Sequence, residues 1–163
     1  MQIFHGSDVE VKKPQILKTN RFLDFGIGFY TTTSYEQAEN WAKRVSVRNN
    51  SKKCFISVYE FDEETAKKEL LYEEFEMYAN EKWLSFIMKC RNGFIPKEDI
   101  VKGPVADDNV YAIIRNYESK VYDLEYTLKQ LKTEKLKDQI LFHTEKSLKF
   151  IKYVKAIEVN LDE

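Results

Sequence analysis

Cysteine and histidine are scarce in this chain, and no apolar run is long. Its two cysteines among 163 residues, Cys54 and Cys90, form neither a CxxC pair nor a metal-ligand pattern. Cys54 falls in a predicted strand and Cys90 at the end of a predicted helix, which reads as two reduced, buried thiols in a cytosolic protein. With only His5 and His143 as histidines, a zinc centre is not implied. No apolar stretch reaches the roughly 20 residues of a membrane-spanning helix, and no signal peptide precedes Ile3. The expected location is therefore the cytoplasm, with no membrane partner. A net charge of −1 argues against a protein whose affinity rests on neutralising many phosphates. Repeats, low-complexity tracts and linkers are absent too, so the expectation is a single domain over residues 1–163.

What is present suits a folded domain. Charged residues make up 33% and hydrophobic ones 43%, and the length allows a real core. Residues 1–4 read as a first strand and 8–25 as an irregular segment around Pro14. Gly26 and Gly28 punctuate a turn into a strand over 28–32. Ser34 followed by Gln37 is a capping box opening a helix to about Val47. Further strands are predicted at 54–61, 70–72, 139–142 and 153–159, with helices at 76–90 and 145–150. Asp99 to Val101 leads into Gly103-Pro104, read as a loop. Val110, Ile114, Tyr117, Val121, Leu124, Leu128 and Leu131 follow a heptad-like spacing. That stripe reads either as an amphipathic pair packed on the domain's own sheet or as a face offered to a protein partner.

The most informative set is His5-Gly6, then Gly28-Phe29-Tyr30-Thr31-Thr32, then Trp41 eleven residues after Tyr30. Such a set can build a slot for a flat heterocycle, with an imidazole at one edge, bare backbone at the other and aromatic walls. A third polar group comes from the apolar run Asp138-Gln139-Ile140-Leu141-Phe142-His143-Thr144.

These motifs resemble the ADP-ribosyltransferase superfamily, in its His–Tyr–(Glu/Asp/Gln) branch. His5-Gly6-Ser7, the block from Asp24 to Thr32, the Gln139 strand and Gly103-Pro104-Val105-Ala106-Asp107-Asp108 further resemble a small bacterial family within it, DUF3990-like. The resemblance spans about residues 1–155. It implies an α+β fold, a split β-sandwich of two mostly antiparallel sheets with peripheral helices and an NAD cleft between the sheets. It implies mono-ADP-ribosyl transfer from NAD, as co-substrate, to a protein or nucleic-acid acceptor. The small size suits a toxin module of a toxin–antitoxin or anti-phage system, with a cognate antitoxin as partner.

The same resemblance assigns roles. His5 would bond a ribose hydroxyl, and Gly6 would bring its own N–H and C=O to the carboxamide. Tyr30 would stack on the nicotinamide and Trp41 would close the other face. Ser7 and Thr31 flank these residues in the cofactor-binding set, and Arg21 would pair with the pyrophosphate. His5, Tyr30 and Gln139 form the expected catalytic set, with Gln139 at the third position. Relatives carry Glu there, and a carboxylate bonds the 2′-hydroxyl and stabilises developing positive charge. An amide bonds the hydroxyl but carries no charge and accepts no proton near neutral pH. That leaves transfer to an acceptor that is already nucleophilic, a base from elsewhere, NAD hydrolysis, or an NAD- or ADP-ribose-binding module without turnover. Asp107 and Asp108 are alternative carboxylates, or simply the cap of the following helix. His143 reads as structural.

Overall fold

The computed structural model describes residues 1–17 and 24–161. Within them, seven strands and five α-helices follow one another as β1 (Gln2–Ser7), β2 (Phe29–Thr31), α1 (Tyr35–Arg48), β3 (Phe55–Phe61), α2 (Glu63–Glu69), β4 (Tyr72–Glu74), α3 (Glu81–Arg91), β5 (Ile100–Pro104), α4 (Asp108–Glu118), α5 (Leu124–Leu131), β6 (Asp138–Phe142) and β7 (Ile151–Glu158). A 3₁₀ turn, Ser147–Phe150, stands where the sequence predicts a longer helix. Each of these α-helices opens on a side-chain cap: Ser34, Asp62, Asn80, Asp107 and Asp123 each accept an N–H from the first turn. Each cap satisfies a donor that the helix cannot satisfy itself and contributes on the order of 1 kcal/mol.

The strands form two sheets, ordered β1-β3-β7 and β2-β6-β5-β4. All pairings are antiparallel except β4 with β5. The fold is thus α+β with two mostly antiparallel sheets. Side chains alternate across each strand, and β6 shows what this does. Ile140 and Phe142 enter a core shared with Ile3, Tyr59 and Phe61 of the other sheet. Leu141 enters a second core with Phe25, Trp83, Leu84, Ile87, Val110, Ile114 and Leu131. One core therefore joins the sheets, and the other joins the larger sheet to α3, α4 and α5. On the outside of the smaller sheet, α1 seats Ala38 and Ala42 on Gly6. A Cβ at Gly6 would collide with the Ala38 carbonyl oxygen and stand 2.7 Å from the Ala42 nitrogen.

Several expected boundaries move. His5-Gly6 lies inside β1 rather than at its end, because the ladder to β3 runs on to Ser7↔Phe55. Gly103-Pro104 belongs to β5, with Pro104 at the terminal position opposite Asp138, where a missing N–H costs least. The helix expected from residue 76 begins at Glu81, since Asn80 is its cap. The heptad-like stripe is broken between Glu118 and Leu124. Its members Val110, Ile114 and Leu131 are fully buried, and only Val121, at 70% exposure, faces outward. The stripe is thus mainly a core face of this domain.

Candidate functional site

Among the described residues, backbone hydrogen bonds join the two sheets at one antiparallel bridge, between Phe4 and Thr32, where each N–H donates to the other's carbonyl (2.8 and 2.9 Å). In a continuous antiparallel ladder the next such pair is Gly6 with Tyr30, two residues along each strand. That pair does not form. The Tyr30 carbonyl is taken instead by the His5 ring, whose Nδ1 lies 2.7 Å from it. The imidazole stands where the ladder would have continued, and the sheets part there. Among the described residues no backbone group then takes the Gly6 N–H or C=O, both of which point to this open edge.

A carbonyl only accepts, so His5 Nδ1 carries the proton, and the neutral ring presents Nε2 as an acceptor. Burial lowers the His5 pKa, with the Tyr30 bond opposing, so the neutral form holds at pH 7. The ring also packs on Phe29, with centroids 4.4 Å apart.

From the split, a hydrogen-bonded path leads to Gln139. The Tyr30 hydroxyl donates to the Gly26 carbonyl (2.6 Å) and accepts from the Phe25 N–H (3.2 Å). Gly26 holds φ of +88°, a conformation that disfavours a Cβ. Burial and the nearby Asp24 charge hold the Tyr30 phenol far above its ordinary value, so it stays a donor. Asp24, 6% exposed, is the hub. Tyr111 donates a short bond to its Oδ1, and Oδ2 receives the Ala106 N–H (3.2 Å) and Gln139 Nε2 (3.4 Å). Arg91 stacks on the Tyr111 ring at 4.7 Å and adds positive charge near Asp24. Burial raises the Asp24 pKa, with those bonds and Arg91 pulling it back. Gln139 is itself 2% exposed and shares a sheet face with Tyr30, because Tyr30 pairs with Leu141.

The other expected residues fall less centrally. Thr31 is fully buried, with its hydroxyl on the Ile140 carbonyl (2.9 Å); the inter-sheet core holds it, and its side chain reaches no open surface. Ser7 ends β1 and bonds Asp8 (3.3 Å). Trp41 is half-buried on α1 beside Ala42. Its helix lies against β1, and no ring contact joins Trp41 to Tyr30 among the described residues. Arg21 lies outside the described residues. Asp107 is the α4 cap, accepting from the Val110 N–H (2.9 Å), and exposed Asp108 stands 3.7 Å from Arg44. Neither reaches Gln139. Cys54 and Cys90 are free and buried, and burial helped by the Asp24 charge pushes the Cys90 thiol up to about 12. A groove of about 700 Å³ lies elsewhere, between α3 and the α4–α5 pair, lined by Leu84, Met88, Phe94, Tyr117 and Leu124 among others.

A family model described as a protein of unknown function (DUF3990) matches residues 1–153. The chain belongs to that family. The match to DUF3990 takes in every site residue named above and ends inside β7. Comparison with curated proteins and with solved structures found no match. Within this DUF3990 domain, Asp24, Tyr111 and Arg91 are the residues that sequence reasoning did not place. Asp24 stood inside a quoted motif, but nothing local marks a turn aspartate as the partner of a glutamine 115 residues away. Tyr111 and Arg91 belong to no motif or stripe named from the sequence.

Proposed function

We propose that this protein transfers ADP-ribose from NAD to a macromolecular acceptor, as a toxin-type module. The observation that carries the reading is the split between β1 and β2, where His5 occupies the ladder position and frees the Gly6 backbone. A free N–H and C=O side by side on one residue complement a carboxamide, which has one acceptor and donors of its own. The His5 Nε2 lone pair suits a sugar hydroxyl, and Tyr30, whose carbonyl holds the His5 ring, carries its own ring on the Gln139 face of β2. In the reaction the C–N bond between nicotinamide and ribose breaks, and nicotinamide leaves with the bonding pair. The acceptor's lone pair forms the new bond at the anomeric carbon and its proton passes to a base. The transition state is oxocarbenium-like, so fixing the ring and holding the ribose hydroxyls account for much of the barrier reduction.

A second reading, an NAD-binding module without turnover, draws on the neutrality of Gln139 and its 2% exposure. Incubation with NAD labelled on the adenylate, together with a bacterial lysate, separates the two. Label that becomes macromolecular, and is then released by protease or nuclease, identifies the acceptor class. NAD that binds in calorimetry but is neither transferred nor hydrolysed favours the second reading. Tyr30→Ala should weaken NAD binding by roughly 5- to 30-fold, for the loss of a stacked, partly desolvated face. Unchanged affinity would remove Tyr30 from the site.

A further inference from the structure

We infer that Asp24 and Gln139 act as one unit, in which Asp24 holds and polarises the Gln139 amide so that its Oε1 stands as a fixed acceptor for a ribose hydroxyl of the dinucleotide. This rests on the function proposed above. It assigns Asp24 as a positioning residue and accounts for an amide at the place where members of the superfamily that the motifs resemble carry a carboxylate.

The orientation of the amide follows from its neighbours. Gln139 Nε2 lies 3.4 Å from Asp24 Oδ2 and 3.4 Å from the Pro104 carbonyl oxygen. A carbonyl only accepts, so the amide nitrogen must face it whatever the protonation of Asp24. Both amide protons are thereby committed, and Oε1 is the group that remains. No donor among the described residues bonds it. An acceptor lying in a side chain that is almost wholly buried, with its other half locked, is a pre-organised half of a hydrogen bond.

Polarisation follows from charge. A carboxylate that accepts from an amide N–H pushes electron density through the amide toward the amide oxygen, and low local dielectric strengthens the effect. Gln139 Oε1 thus becomes a stronger acceptor than an unpaired amide oxygen, while the formal charge stays on Asp24.

Asp24 is itself held from three sides, by Tyr111 of α4, Ala106 before α4 and Gln139 of β6, with Arg91 of α3 supplying positive charge. Tyr30 and Cys90 are the other titratable groups within its field. Such a cage fixes Asp24 and so fixes the amide. It also explains why the motif block begins at Asp24, since the same turn places Phe25 and Gly26 on the Tyr30 hydroxyl.

The test exchanges the charge between the two positions. Wild type, Asp24→Asn, Gln139→Glu and the double variant Asp24→Asn/Gln139→Glu are compared for NAD turnover and KM at pH 8, with thermal melts as a folding control. Asp24→Asn should lower kcat at least tenfold and leave KM within threefold. The double variant restores one charge and one amide in the reverse order, and its kcat should exceed that of both single variants. Wild type and the double variant should both show an acidic limb, set by Asp24 in the first and by the carboxylate introduced on β6 in the second, and Asp24→Asn should lack it. Asp24→Asn within threefold of wild type in kcat, or a double variant no better than Asp24→Asn, overturns the pairing while leaving NAD chemistry standing. A wild-type protein that neither binds nor consumes NAD overturns the proposed function itself, and the pairing with it.

Discussion

Gln139→Glu is the substitution for which sequence and structure give opposite expectations. From the sequence it restores a missing carboxylate at nearly constant shape. In the structure it sets that carboxylate against Asp24, because Gln139 Nε2 is 3.4 Å from Asp24 Oδ2 and both residues are buried. Two like charges at that separation repel by about 5 kcal/mol at an effective dielectric near 20. The pair avoids this by keeping one proton between its oxygens, as carboxylate dyads do. At about pH 5 the shared proton replaces the lost amide bond, and the remaining cost is the 3.4 Å contact with the Pro104 carbonyl, about 1 kcal/mol or less because that oxygen keeps its bond from Trp83 Nε1 (3.0 Å). As pH rises the proton is lost, repulsion appears in the folded state, and the deficit grows to about 3–5 kcal/mol by pH 9. For a domain of this length that corresponds to a fall in Tm of roughly 6–20 °C. Thermal melts of wild type and variant from pH 5 to 9 read it directly. A Tm difference that is flat across this range would refute the contact between the two carboxylates. Recovery is expected in Asp24→Asn/Gln139→Glu, where the new amide donates to the new carboxylate.

Gly6→Ala should destabilise by about 3 kcal/mol or more, because its Cβ meets helix backbone, which cannot rotate away as a side chain can; urea denaturation checks it, and a loss under about 1 kcal/mol would show that α1 does not rest on this glycine. His5 has a lowered folded pKa, so its contribution is present above its ordinary value and lost as pH falls through the folded one. Against His5→Asn, which does not titrate, wild type should lose stability below about pH 6.5 by up to about 1.4 kcal/mol per pH unit; parallel stability curves would contradict a buried neutral imidazole. Glu63 shows the carboxylate case: burial alone would raise its pKa, but Lys102 at 3.0 Å and the Tyr72 hydroxyl at 2.8 Å outweigh it and lower the value. Lys102→Met should therefore cost about 1.5–3 kcal/mol at pH 7, and the gap to wild type should narrow as pH falls from the ordinary glutamate range toward about pH 3. A gap independent of pH would mean that the loss is one of packing.

By itself the sequence determined what depends on neighbours along the chain. The Ser34 cap, the strand around Val58 and the apolar face of Trp83, Leu84 and Ile87 follow from local periodicity and capping chemistry, while the α+β class came from the resemblance. It also marked His5, Gly6, Tyr30 and Gln139, since their residue types and order carry a recognisable pattern. Only the tertiary structure decided what each of them touches. Gly6 has a packing role toward Ala38 and Ala42 that no motif announces, because the close approach belongs to a helix more than thirty residues away. Thr31, read as a site residue, faces the inter-sheet core because strand alternation sets its side opposite to that of Tyr30. Asp107, read as a stand-in carboxylate or a cap, is the cap, while Asp24 reaches Gln139. Buried polar groups choose partners by proximity in the folded chain and by the cost of staying unpaired. Proximity between residues 24 and 139 is made by the stacking of β2, β6 and β5, and by nothing near either residue in sequence.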